Sequence, residues 1–227
     1  MNQATLQFDD VTFPDDDYYD GGIKGVTLQL YAGEMAMIRT EPGHILLPIA
    51  DLAQGLVAAT GGSVTYAGES WDAMRPDRAT EQRASTRRVF AGAGWISNLD
   101  VDENVTLAER HFSKRTEKDI QEEADALAAE FGLDQLPRAR PAWVKQRDLI
   151  VAGWIRALLG KPKLILLEHP CRDAYADRTS IFIKHLQQRR DEGATVVWLT
   201  AEERIWSDKG IESDQRLQMR GEELRPA

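Results

Sequence analysis

Arg39-Thr-Glu-Pro-Gly-His-Ile-Leu-Leu47 is the stretch on which the fold turns. Before it, residues 35–38 (Met-Ala-Met-Ile) make an apolar run that reads as a buried strand. After it, residues 45–57 carry apolar side chains at helical spacing, which predicts a helix ending near Gly55 or somewhat later. Strand, loop and helix in that order are the setting of a backbone cradle for phosphate. Such a cradle needs several glycines, so that N–H groups turn inward, then a lysine and a hydroxyl residue. Here Gly43 is the one glycine, and the lysine and hydroxyl positions fall on Ile45, Leu46 and Leu47. With Pro48, these residues exchange a wet anion site for apolar packing, which relieves the desolvation burden of an empty loop. The expectation is a nucleotide-binding fold whose phosphate chemistry has been removed.

The bulk composition sets outer limits. At 227 residues with 42% hydrophobic and 29% charged, the chain can build a packed core and does not read as disordered. A net charge of −9 argues against a general binder of nucleic acid or anionic membrane, since either needs a basic face. The single cysteine, Cys171, excludes an intramolecular disulfide and reads as a small buried side chain in a reducing compartment. The N-terminus has no apolar signal core, and no apolar run approaches the roughly 18–20 residues of a membrane span. The expected location is cytoplasmic, with any membrane association supplied by another subunit.

Outward from the loop, strands alternate with helices. Residues 6–13 and 25–31 alternate in polarity and read as an antiparallel pair. The acidic segment between them, with Asp15, Asp16, Asp17 and Asp20, lacks calcium-loop spacing and reads as a solvated hairpin tip. Helical patterns run from 101, from 117 to 131 behind Thr116 as a cap, from 143 to 159, and from 179 to 190. Residues 164–167 are an all-apolar run of the kind found in central parallel strands, and Thr195-Val-Val-Trp-Leu-Thr200 reads as a second buried strand. Residues 216–224 read as a terminal hairpin turning at Gly221. The fold class is α/β.

Four segments resemble the ATP-binding subunit of an ABC transporter, over essentially the whole chain. They are Gly33-Glu34, Gly62-Ser-Val-Thr-Tyr-Ala-Gly68, Leu99-Asp-Val-Asp-Glu-Asn-Val105, and Ile155-Arg-Ala-Leu-Leu-Gly-Lys-Pro-Lys-Leu-Ile-Leu-Leu167. The third is similar to the family's L-T-V-x-E-N-V, and the fourth to A-R-A-L-L-x-x-P-K-L-L-L-L. The stretch Trp95-Ile-Ser-Asn-Leu99 looks most like ATPases of mammalian-cell-entry and lipid-asymmetry systems. The resemblance implies a P-loop-NTPase-like core sheet, an N-terminal antiparallel β subdomain and an inserted helical subdomain. Residues 1–227 would then be one domain, with the helical part at about 90–150.

The resemblance also assigns positions, and nearly all are altered. The phosphate-loop lysine falls on Ile45 or Leu46. The metal-sensing glutamine falls on Ala91, and the Leu-Ser-Gly-Gly-Gln signature on Val144, Lys145, Gln146, Arg147 and Asp148. The metal-supporting aspartate falls on Glu168, the catalytic glutamate on His169, the switch histidine on Ala201 and the dimer-crossing aspartate on Tyr175. The adenine-stacking aromatic is Phe13, Tyr18 or Tyr19. Losing a lysine about 4 Å from phosphate removes about 4 kcal/mol at an effective dielectric near 20, roughly a thousandfold in binding. MgATP, the family's cofactor, is therefore disfavoured. Glu41 would add like charge, and Lys145 and Arg147 read as a solvated helix start.

Three functions compete. The first is a non-hydrolysing subunit docked on a membrane permease in lipid or hydrophobic-solute transport, paired with an intact ATPase or with a second copy. Its docking surface would lie within residues 91–105, with Trp95, Asn98 and Leu99 as contacts. The second is an active ATPase using Glu168 for magnesium and His169 as base. The third is a soluble regulatory protein on the same scaffold. Fold alone does not choose among them.

Overall fold

Alternation of side chains builds two sheets that share one core. The computed structural model describes residues 3–92, 94–174 and 176–227. Leu6–Phe13 (β1) pairs antiparallel with Ile23–Leu30 (β2), with Leu6 opposite Leu30 and Phe8 opposite Leu28. Gly61–Tyr66 (β4) and Glu69–Ser70 (β5) complete this sheet in the order β2-β1-β4-β5. The second sheet contains Met35–Arg39 (β3), Thr86–Val89 (β6), Leu164–Glu168 (β7), Thr195–Thr200 (β8), Gln215–Arg220 (β9) and Glu223–Pro226 (β10). Its order is β10-β9-β3-β8-β7-β6, parallel throughout except for the final hairpin.

The central strands are apolar on both faces because each face is covered. In β3, Met35 and Met37 point to one side while Ala36 and Ile38 point to the other. Ile165 and Leu167, then Val196 and Trp198, join the methionines under the helices. Leu164, Leu166, Val197 and Leu199 face the antiparallel sheet. Each such burial contributes about 1.5–3 kcal/mol. The helices are Ile49–Ala53 (α1), Pro76–Arg83 (α2), Val101–Phe112 (α3), Glu117–Glu130 (α4), Gln146–Leu158 (α5), Ala176–Asp191 (α6) and Glu203–Trp206 (α7). The Thr116 hydroxyl accepts the Asp119 N–H at 3.2 Å and starts α4.

Three expectations need correction. The helix after the loop spans only residues 49–53, not 45–57. Pro48 stands at its N-cap, and the N–H groups of Ile45 and Leu46 turn away to a side-chain acceptor. At its far end Gly55 has φ +60°, and a Cβ there would lie 2.5 Å from the Trp71 ring, so the helix stops. The helix expected from residue 143 begins at Gln146, after a 3-10 turn at Pro141–Trp143. The acidic segment after β1 is not merely a solvated tip, because Tyr19 is buried and Asp20 bonds the loop.

Candidate functional site

Strands β3, β8, β7 and β6 are neighbours and parallel, so the segments leaving them gather at one edge of the sheet. That carboxyl edge is where open α/β sheets place ligands. It brings together the loop at 40–47, Glu168 and His169, the segment after Val89, and Thr200 with Ala201. Thr40 N–H donates to Thr200 O at 3.0 Å, which joins the first and last of these. Tyr175 lies outside the described residues.

The loop holds its shape with internal partners. Ile45 and Leu46 both donate their backbone N–H to Asp20 Oδ2, each at 2.8 Å. Asp20 N–H donates back to Leu46 O at 2.9 Å. These N–H groups hold the Asp20 carboxyl below its usual range. Glu41, whose charge was expected to face the loop, instead accepts Gly221 N–H at 2.7 Å from the terminal hairpin. Leu47 is buried against the antiparallel sheet, while Gly43 has φ +94° at an open turn.

Beneath the loop lies a buried chain of charges. Arg88 on β6 binds both Glu168 oxygens at 2.8 Å and also pairs with Asp51 on α1. Asp51 accepts the Tyr19 hydroxyl at 2.8 Å. Glu168 Oε2 further accepts Ala91 N–H at 3.2 Å, so the residue in the glutamine position contributes its backbone. Burial opposes the charge on Arg88, but its bonds to Glu168 and Asp51 outweigh this and hold it above its usual range. Burial pushes Glu168 up, and Arg88 pulls it back. Burial also raises the Tyr19 hydroxyl.

His169 is buried, with φ +48°. Burial first, and then Arg172, lower its pKa, so it is neutral at pH 7. Its Nε2 makes no hydrogen bond, and its ring lies against the backbone of Ile45 and His44. A crevice of about 270 Å³ runs from His169 past Ala91 and Trp95 to Gln146, so one signature-equivalent residue faces the same space. Of the others, Lys145 and Arg147 are exposed, Val144 packs on the helical core, and Asp148 lies 3.8 Å from Arg178. Ala201 is exposed. Among the adenine-stacking candidates, Tyr19 is consumed by Asp51, Phe13 packs edge-on against Tyr19 at 5.5 Å, and Tyr18 is 68% exposed. Burial, with the Glu202 charge, pushes the Cys171 thiol up to about 12, which removes it as a nucleophile.

A second opening adjoins the first. Phe90, Ile96, Leu107, Ala108 and Phe112 line an apolar groove of about 500 Å³. Phe90, Ile96, Leu107 and Phe112 are each at least 38% exposed, so the groove is open to solvent. Arg156 closes its inner end, with its guanidinium 4.5 Å from the Trp95 ring centre and 5.2 Å from that of Phe90. Burial lowers Arg156 to about 10, and among the described residues no carboxylate pairs with it. Asn104 fixes the outer wall. Its amide donates to Ile96 O, Leu99 O and Asp100 O, and its oxygen accepts Ile96 N–H at 2.8 Å. Of the docking candidates, Trp95 is half-buried on Arg156, Leu99 is half-buried, and Asn98 is exposed with its carbonyl bonded by Arg140.

Asp51, Arg88, Asn104 and Arg156 were not singled out from sequence, and Asp20 was read only as part of a solvated hairpin tip. One signal was available, because two arginines in the short strand β6 must find carboxylates if that strand is buried. Among the described residues no three His, Cys, Asp or Glu side chains group to hold a metal, and no helix is long and apolar enough to cross a membrane.

No protein-family model matches the chain. It is 23% identical over 211 residues to HrtA of Staphylococcus haemolyticus, an ATP-binding protein named for hemin import, covering 88% of this chain and 92% of the relative. It is 26% identical over 182 residues to the oligopeptide transport ATP-binding protein OppF of Escherichia coli, covering 78% of this chain. There the match spans 54%, about half, of the relative's length. Among solved structures, the dimeric bacterial ABC transporter cassette MJ0796 superposes with a TM-score of 0.81 at 18% identity, covering 96% of both chains. The same cassette with ADP and Pi gives 0.79. The chain therefore has the fold of an ABC-transporter ATP-binding subunit, with homologues among transport ATP-binding proteins.

Proposed function

We propose that this chain is a silent ATP-binding-cassette subunit that docks on a membrane permease and does not hydrolyse ATP itself. The clamp of Arg88 on Glu168 and Asp51 supports this most directly. Phosphoryl transfer needs free carboxylates for magnesium and a cation at the phosphates. Here the carboxylate in the metal-supporting position is bound on both oxygens by a buried guanidinium, and no lysine stands at residues 39–47. Two N–H groups of that loop are taken by Asp20. These residues do not fit a magnesium nucleotide. Burial and Arg172 lower the His169 pKa and so weaken it as a base, and the adjacent Glu168 is held by Arg88, which weighs against the active-ATPase alternative.

Docking rests on the apolar groove beside Trp95. Its open apolar walls suit the apolar face of a partner helix, and Arg156 places a cation at one end. The whole chain acts as one domain, with residues 90–150 as the helical arm that carries the groove. The partner is a permease, and the complex is completed by an intact ATPase or a second copy of this chain, at the inner face of the membrane. The cargo class is a lipid or other hydrophobic solute, from the likeness at Trp95-Ile-Ser-Asn-Leu99. Hemin, named for one relative, is a solute of that kind.

The test is turnover by the purified chain. The expected result is no MgATP hydrolysis above a heat-denatured control. Hydrolysis abolished by His169→Ala would overturn the silent assignment and establish the active alternative.

A further inference from the structure

We propose that the segment between β1 and β2 is a built-in occupant of the loop at 41–47. Asp20 supplies, from within the chain, the anion held by the N–H groups of Ile45 and Leu46, and a phosphate-bearing ligand must displace this strap to reach them. The proposal rests on reading residues 39–47 as a phosphate-loop position, and it names how that position is kept closed.

The contact is built, not incidental. One carboxylate oxygen takes two successive amides at 2.8 Å, the pattern by which backbone N–H groups hold anions. The strap returns a bond through Asp20 N–H to Leu46 O. It is anchored one residue earlier, where Tyr19 is buried and bonded to Asp51. Asp16 shapes the turn by accepting the N–H groups of Tyr18 at 2.8 Å and Tyr19 at 3.0 Å. On the other side, a Cβ at Gly22 would lie 2.6 Å from Asp15 N, so glycine is needed for the strap to fold back. A second polar group converges on the same place. The buried His169 ring lies against the His44–Ile45 backbone, and its Nε2 makes no hydrogen bond.

The Tyr19 anchor links the strap to the Arg88 clamp through Asp51, so opening the strap exposes one end of that buried chain. Asp20 is itself on the surface, so the strap can leave without unfolding either core.

Amide exchange in the full chain, read by NMR, tests the contact. In Asp20→Ala the Ile45 and Leu46 amides are expected to exchange at least about tenfold faster than in the parent chain. Asp17→Ala, which removes the same charge from the same strap, should leave them unchanged. Asp20→Asn keeps an acceptor without the charge and should fall between. Sodium pyrophosphate added to Asp20→Ala should shift both amides, and added to the parent chain should not. Amides as protected in Asp20→Ala as in the parent, equal effects of Asp17→Ala, or no pyrophosphate shift in Asp20→Ala would each overturn the proposal. MgATP turnover by the parent chain would sink the silent assignment without altering the exchange result, so the two failures are distinguishable.

Discussion

Arg88 has the largest consequence of any single side chain at the site. It is 6% exposed and satisfies two carboxylates that are themselves buried. Arg88→Met would leave Asp51 and Glu168 facing each other without a cation. The expected cost is about 3–5 kcal/mol in urea unfolding at pH 7. Part of that loss should be recovered as pH falls and Glu168, whose carboxyl burial already raises, protonates. His169 makes a second prediction. Its folded pKa lies below the ordinary 6.5, so the folded state binds fewer protons there than the unfolded chain. Its contribution is complete above about pH 6.5 and is lost as pH falls through the folded value. The parent chain should lose stability from pH 7 to 5, and His169→Gln should flatten that slope. An unchanged slope would show that another group titrates there. Motif order put Glu168 and His169 beside the loop. It did not reveal Arg88, because a charge in a strand shows its partner only when the sheet order is known.

At the level of elements, how far the sequence could be read depended on how local the cause was. Residues 164–167 and 195–200 were legible as buried strands because an apolar run as short as 164–167 or 196–199 has few other uses, and Thr116 was legible as a cap. The helix α1 was overextended because periodicity at 45–47 cannot report that Asp20, twenty-five residues earlier, takes the Ile45 N–H. Acidic runs in turn-rich segments normally face solvent, which hid Asp20. Asn104 is the comparable case on α3. It is 5% exposed and ties residues 96–100 to α3 with four hydrogen bonds. Asn104→Ala should cost about 1 kcal/mol or somewhat more by leaving partly buried backbone groups without their partner. It should also speed amide exchange at Ile96 while leaving β7 protected. Equal loosening of β7 would place Asn104 in global stability and not in the groove wall.

For the whole molecule, the crevice at His169 and the apolar groove lie side by side, and the loop at 41–47 is closed by Asp20. Phe90 lines both openings, with the Arg88 guanidinium 4.6 Å and the Arg156 guanidinium 5.2 Å from its ring centre. A partner seated in the groove therefore presses on the same aromatic that covers the buried clamp. The architecture was readable from element order and the four family-like segments. The groove was not, because Phe90, Ile96, Leu107 and Phe112 come together only after α3 folds against the segment that follows β6. The most direct measurement is co-purification from gently solubilised native membranes with a C-terminal tag, comparing the parent chain with Leu107→Glu. The account predicts that a multispanning permease comes down with the parent and is at least about tenfold depleted with Leu107→Glu, since a charge buried in an apolar contact costs more than the 1.4 kcal/mol that corresponds to tenfold. A parent chain that brings down no membrane protein, or a permease retained equally by Leu107→Glu, would contradict it.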